Sequence, residues 1–408
     1  MYCFCLPVAD DEAMLTNNFS TFLPEPSQRK VLLIAGGAIV VVLSLLLADS
    51  PKRALLLTIG LGMGAALYHG AFGFAGAYRK LLTERDMTGV AAQMIMLIAA
   101  MLLFAPILAQ GKAFGHGVSP AVAPVSLSMG LGAFLFGIGM QLGSGCASGI
   151  LYTAGGGSFR AVFVLVFFCL GAFWGSLDLG WWQTLPGIGS VSLAREWGWE
   201  VALPLQIGVL GLVYTGLRRG GWTVRPLNDW KEEVSFSSVL KGPWPLLVSA
   251  LLLALFNWLT LLVAGHAWSI TWAFSLWAAK AAVLFGWDPA TSGFWSGGFQ
   301  QAALARSILS DTTSVMNIGI LLGAFTAAGL AGKRLKSSSR GPVPMLAAIA
   351  AGLLMGYGAR LAYGCNIGAL FSGIASTSLH GWIWILCAIP GNAVGIALRR
   401  PLQLESRT

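Results

Sequence analysis

"GSGCASGILYTAGGG" (residues 143–157) places one cysteine in an apolar stretch too rich in glycine for a helix to run through it. A second stretch, "YGCNIGALFSGIAS" (363–376), repeats the pattern. Shifting the chain by 219 residues lays Gly137 on Gly356, Gly139 on Gly358, Leu142 on Leu361, Gly145 on Gly364, Cys146 on Cys365, Gly149 on Gly368 and Leu151 on Leu370. Glycines alone could coincide in a chain that has 53 of them, but a joint register of glycine, cysteine and leucine is harder to reach by chance. Each glycine costs a helix about 1 kcal/mol relative to alanine, so both stretches predict a break. A break inside hydrocarbon strands backbone N–H and C=O groups, which is tolerated chiefly where the backbone lines a cavity.

The rest of the chain supplies the hydrocarbon. Of 408 residues, 56% are hydrophobic and 10% charged, and the mean hydropathy is +0.75. Apolar runs such as 31–48, 90–109, 245–264 and 317–332 approach the roughly 20 residues that cross a bilayer as a helix. Lacking strict alternation, they argue for helices over an outer-membrane barrel. The net charge of +9 does not imply nucleic acid, because the basic residues sit in short loops between spans and read as an orientation signal. From Lys52 and Arg53 through Arg218, Arg219, Arg225, Lys333 and Arg334 to Arg399, Arg400 and Arg407, they fall on one side, which should be cytoplasmic. Lys112, Arg195 and Arg306 fall on the other, and parity also puts Arg29 and Lys30 there.

Joined to the charge count, the repeat predicts two copies of opposite direction. The first leaves from and returns to the lightly charged side (109–124 and 177–200); the second leaves from "KRLKSSSR" (333–340) and returns to Arg399 and Arg400. Flanking segments 54–79 and about 268–305 are too long for one span and read as broken or re-entrant helices. The expected fold is therefore an all-α integral membrane protein of two inverted-topology repeats whose broken helices meet near the midplane, an arrangement typical of transporters. Its parts would be a polar tail (1–30), a first repeat (31–202), a linking span and cytoplasmic loop (203–243), a second repeat (244–398) and a cytoplasmic tail (399–408).

At the two breaks, Gly145, Cys146 and Ala147, and Gly364, Cys365 and Asn366, are the candidate pathway residues. The amides of Ala147, Ser148, Asn366 and Ile367 should open short helices, and helix starts attract anions. A thiol is small, soft and a weak donor, so thiols beside amides suit an anion with a sulphur end and oxyanion oxygens. Free cysteine is also a common buried apolar residue; that reading fits Cys169 and Cys387 in their apolar runs, whereas packing alone explains neither the symmetry nor the breaks of the other pair. Arg360, five residues before Cys365 inside a span, reads as functional or as locally paired, and Lys280 and Arg160 share the ambiguity. His69, in the turn-like "YHGAFGF" (68–74), and Gln300 and Gln301 are open to gate lining or simple hydrogen bonding. The histidines make no metal cluster at recognised ligand spacing, no phosphate loop appears, and no cofactor is expected.

"GIGMQLGSGCASGILYTAGGG" (137–157) and "GYGARLAYGCNIGALFSGIASTSLHGW" (356–382) resemble the YeeE/YedE family of bacterial inner-membrane proteins, over about 54–398. The resemblance implies a non-enzymatic, hourglass-shaped helical transporter that takes up thiosulfate through sulphur contacts, with Cys146 and Cys365 as its two central cysteines. It also implies association with TusA-type sulphur-carrier proteins or selenium metabolism. The family's first glycine-rich segment usually reads R-G-R-F-C; here "HGAFG" has Gly73 at the cysteine position and His69 at the leading arginine.

Overall fold

The computed structural model describes residues 26–230, 235–332 and 341–404. Cys3, Cys5, Met14 and the "KRLKSSSR" loop, with Lys231 and Arg407, lie outside the described residues. Ten helices among the described residues are long and apolar enough to cross a membrane. The main helices are α1 (Pro26–Asp49), α2 (Pro51–His69), α3 (Phe74–Thr83), α4 (Thr88–Gln110), α5 (Leu127–Leu142), α6 (Ala147–Gly155), α7 (Phe159–Leu177) and α8 (Trp199–Arg219). They continue as α9 (Leu246–Ala264), α10 (Thr271–Leu284), α11 (Gly298–Ala305), α12 (Thr312–Ala331), α13 (Pro342–Leu361) and α14 (Leu379–Arg399). The first helix thus begins inside the stretch read as a polar tail.

The expected breaks are present. The segment 54–79 divides into α2 and α3 around residues 70–73, and 268–305 into α10 and α11. At the first cysteine, α5 stops at Leu142 and α6 starts at Ala147; at the second, α13 stops at Leu361 and a π-helical turn, Asn366–Phe371, runs into a short α-turn, Ser372–Ala375. The backbone of the two breaks matches across the 219-residue shift. Ser144 (φ 61°) and Tyr363 (φ 54°) occupy the left-handed region. Gly145 N–H donates to the Met140 carbonyl at 3.0 Å, and Gly364 N–H to the Ala359 carbonyl at 2.9 Å. The Cys146 carbonyl accepts from Ile150 at 2.7 Å and the Cys365 carbonyl from Ala369 at 2.8 Å. Each helix end therefore satisfies its own stranded groups by a reversal, as helix ends in an apolar medium must.

Glycine brings four helices into backbone contact. A β-carbon at Gly132 would stand 2.6 Å from the Gly358 carbonyl oxygen, and one at Gly139 would stand 2.9 Å from that of Ala351. Helices α5 and α13 therefore pack antiparallel, with 132 and 139 facing their own shifted partners in exchange. Likewise Gly137 meets the Ala388 carbonyl of α14, and Gly356 meets the Phe168 carbonyl of α7. Without a hydrophobic driving force between helices in lipid, such small-residue contacts supply the packing. Phe136, Phe168, Phe274 and Trp384 fill the centre, with neighbouring ring centroids 4.9 to 6.2 Å apart. Helix α8 stays peripheral; only Ala202, Gln206 and Leu210 are buried along it.

A β-carbon at Gly356 would lie 2.2 Å from the Phe168 carbonyl oxygen, which is backbone and has no rotamer to yield. Gly356→Val is expected to destabilise the folded protein by about 3 kcal/mol, the upper end for overpacking, read as a lowered Tm and loss of monodisperse protein in detergent. Gly211→Ala, inside α8 at a position with nothing within 4 Å, should lower neither measure, since alanine favours the helix.

Candidate functional site

Both cysteines begin the element that follows their break. Cys146 is the N-cap of α6, its sulphur accepting from Gly149 N–H at 3.4 Å and lying 3.3 Å from Ser148 Oγ. Cys365 caps the π-helical turn, its sulphur accepting from Ile367 N–H at 3.4 Å. Each thiol thus takes a role usually filled by serine, threonine or aspartate. The amides expected to be open to an anion are in part engaged: the Ile367 amide is bound by the cysteine beside it. Both thiols are buried, with 0% and 1% exposure, and lie within electrostatic reach of one another. Neither amide atom of Asn366 makes a hydrogen bond of good geometry although its side chain is fully buried; the Tyr78 phenol lies beside it and close to Cys146. A buried amide without well-formed hydrogen bonds is costly, and this one follows Cys365 directly and neighbours the Tyr78 phenol.

Gly145 and Gly149 open onto a cavity of about 590 Å³ that also takes in His69, Gly73, Tyr152, Lys80 and Arg225. His69 is buried at the end of α2; its ring lies 5.0 Å from that of Trp244, and its carbonyl accepts from Trp244 N–H. Gly73 caps α3, and the β-carbon it lacks would point toward the Tyr152 hydroxyl at 3.8 Å. At the mouth of the cavity, Arg225 Nε lies 3.5 Å from Asp86. Burial opposes ionisation of Asp86, but hydrogen bonds from the Thr88 hydroxyl and amide, with the Arg225 and Lys80 charges, hold its carboxyl below the ordinary range. A second cavity, about 350 Å³, lies at the opposite end of α5 and is lined by Pro120, Val122, Ser190, Ser192, Arg195 and Ser376. Helix α5 separates the two by some 24 Å, at about 1.5 Å per residue.

The structure does not bring Arg360 to this cavity system. Its guanidinium lies 4.9 Å over the Phe294 ring, on the side of α13 that faces the 285–297 connection. Lys280 ties α10 to the end of α11 through the Leu304 and Arg306 carbonyls. Arg160 donates to the Leu142 and Gly143 carbonyls and to Ser144 Oγ, clasping the first break. Arg399, read from sequence as a loop residue, is buried at the end of α14 and braces the same break through the Gln141 carbonyl and Ser144 Oγ. Gln141 in turn donates to Ala75 and to Asn392. Tyr78, Tyr152 and Arg399 were not singled out by sequence reading. Tyr152 stood in the quoted stretch itself, six residues past Cys146; the others carry no local signal.

A polytopic helical membrane protein with paired broken helices, each capped by a buried cysteine, is the class that this geometry defines. The model of a family described as "Sulphur transport" matches residues 69–394, and the chain belongs to that family, the YeeE/YedE transporters. It is 28% identical over 362 residues to the protein named thiosulfate transporter TsuA of Spirochaeta thermophila, covering 82% of this chain and 96% of that one. It is 24% identical over 351 residues to a TsuA of Escherichia coli, covering 82% and 91%. Over 133 residues it is 32% identical to the probable transporter YedE of Escherichia coli, a match covering 33% of this chain and 32% of that one.

Arg160 holds the first break from below with three hydrogen bonds. In a background whose only cysteine is Cys146, Arg160→Met is expected to raise the rate of Cys146 labelling by a small methanethiosulfonate several-fold. An unchanged rate would show that the reversal at Gly145 holds the break without it.

Proposed function

We propose that this protein takes up a small sulphur-containing anion, thiosulfate, across the bacterial inner membrane, passing it from Cys365 to Cys146 without enzymatic turnover. The observation that carries the reading is the pair of buried thiols, each capping the element that follows a broken helix, set between cavities at opposite ends of α5. The relatives named as thiosulfate transporters, similar over most of their length, support the choice of anion. The matching backbone bonds at a shift of 219 and the antiparallel contact of α5 with α13 support reading the halves as inverted repeats. On this reading the Arg195 end is outside, and the end with Lys80 and Arg225 is cytoplasmic.

The chemistry follows from what the two breaks offer. A dianion loses its hydration in the apolar core at great cost, so each station must return some of it. A thiol gives a polarizable contact to the terminal sulphur, while the Asn366 amide and the Tyr78 hydroxyl can donate to oxyanion oxygens. None of these carries a fixed charge, so the ion is held weakly enough to move on. Gly73 leaves open, facing Tyr152, the place where relatives carry a further thiol; here the inner end of the path relies on a hydroxyl.

Cys146→Ser and Cys365→Ser keep size and hydrogen bonding but lose the polarizable sulphur. Each is expected to cut uptake of labelled thiosulfate into proteoliposomes by at least about tenfold, equivalent to about 1.4 kcal/mol on the barrier, at unchanged folded yield. Cys169→Ala should leave uptake as it was. Serine variants that transport like the parent would refute the sulphur contact, and a thiosulfate-dependent adduct on either cysteine by mass spectrometry would point to sulphur transfer instead.

The orientation has its own check. A reporter fused after Thr408 should be active in the cytoplasm, and an introduced thiol at Trp181 should react from outside. The reverse result at either place would overturn the assignment of the cavities.

A further inference from the structure

Uptake of a dianion meets an inside-negative potential, which opposes every negative charge that enters. A group on the path that binds a proton would lighten that load, and a carboxylate is the common choice. Among the described residues, the cavity at the Arg195 end is lined by none. A buried histidine stands beneath it instead.

His380, the second residue of α14, is 2% exposed. Its Nε2 lies 3.1 Å from the Ala362 carbonyl. A carbonyl can only accept, so Nε2 carries the proton of the neutral ring and Nδ1 is the bare nitrogen. Nδ1 is buried and has no hydrogen-bond partner. The β-carbon that Gly373 lacks would lie 3.5 Å from Nδ1 and 3.8 Å from the Ala121 carbonyl oxygen, so these two groups border the same small space. Ala121 N–H donates to Ser376 Oγ at 3.0 Å, and Ser376, with Pro120 and Val122 on either side of Ala121, lines the cavity. The ring therefore has one nitrogen toward the cavity floor and the other on the turn that leads through Tyr363 and Gly364 to Cys365.

We propose that His380 binds a proton at Nδ1 that enters together with the anion, so that uptake is proton-coupled. This rests on the uptake reading above. Nδ1 takes one proton from the outer water, and the ring becomes an imidazolium that keeps its Nε2–H bond to Ala362. The new Nδ1–H donates to an oxygen of the dianion drawn in beside Arg195. The proton then passes to the anion, which travels the thiol path as a monoanion and returns the proton in the inner cavity. One dianion and one proton enter, and His380 is left neutral. An apolar path favours the species of lower charge. The titratable groups facing the ring are few: Tyr363, whose ring centroid is 6.5 Å away, and the Cys365 thiol beyond it. The 118–126 connection, the 366–378 segment and α5 contain no ionisable side chain, and Arg195 stands across the cavity.

The test uses the full chain in proteoliposomes that enclose a pH-sensitive dye, with labelled thiosulfate outside. Adding thiosulfate to the wild type should acidify the interior, and uptake should fall with rising outer pH by up to about tenfold per unit above its midpoint, the limit for one bound proton. His380→Gln retains a donor for Ala362 and cannot titrate, so its residual uptake should be independent of outer pH and should not acidify the interior. A brace without a proton role would leave both signals intact in that variant, and this overturns the proposal. Should the variant fail to fold, the wild type alone decides, because uptake without acidification sinks the proposal and leaves the uptake reading standing. No uptake at any pH sinks both.

Discussion

A backbone amide in hydrocarbon has no water to turn to, and the architecture of this protein follows from how that demand is met where helices stop. At 140–150 and at 359–369 the chain reverses through a left-handed residue, returns one N–H to the turn behind it and one carbonyl to the turn ahead. The sulphur of each cysteine then accepts an amide of the new element. What the reversal leaves over is small and local: a thiol, an asparagine amide and a few hydroxyls. These are the groups that the proposed path draws on.

Holding two such breaks deep in the bundle requires a scaffold that does not collapse around them. Arg160 and Arg399 grip the carbonyls at the end of α5, so a position that strands acceptors is supplied with charged donors. In the second half the carbonyl that matches Gly143, that of Ala362, is met by His380 Nε2, and beyond the break Asn257 and Ser372 hold the Trp268 backbone. The two breaks share a backbone pattern and differ in how they are braced. Charged braces suit the end where basic residues gather, and neutral ones suit the other.

Much of this was legible in the sequence because glycine acts locally. A glycine lowers helix stability wherever it stands, so breaks could be placed within 143–157 and 363–376 from the letters alone, and apolar length marked several of the spans. The roles of the long polar side chains were not legible, for they depend on distant partners. Arg360 read from sequence as either functional or locally paired; it is the last residue but one of α13, and its guanidinium lies over the Phe294 ring. Arg399 looked like a loop residue, and only the parallel packing of α14 on α5 brings it under the first break. His380 passed as one scattered histidine, since nothing in sequence places Ala362 against its ring.

The glycine contacts among α5, α7, α13 and α14 also bear on how such a protein can move. Side chains that interdigitate can change rotamer and let one helix slide on another, but carbonyl oxygens seated against α-carbons have no second arrangement nearby. Displacing α13 by even part of a turn would drive Gly356 off Phe168 and Gly132 off Gly358 together. The centre of the bundle is therefore a fixed frame, stiff along the axis of passage. Opening and closing are left to parts outside it: tyrosine and histidine rings, the connection between α2 and α3, and the turns that carry the thiols. If the proposed path is right, its cargo is admitted by small local yielding at each break in turn, as a string of narrow locks passes a boat without moving the canal.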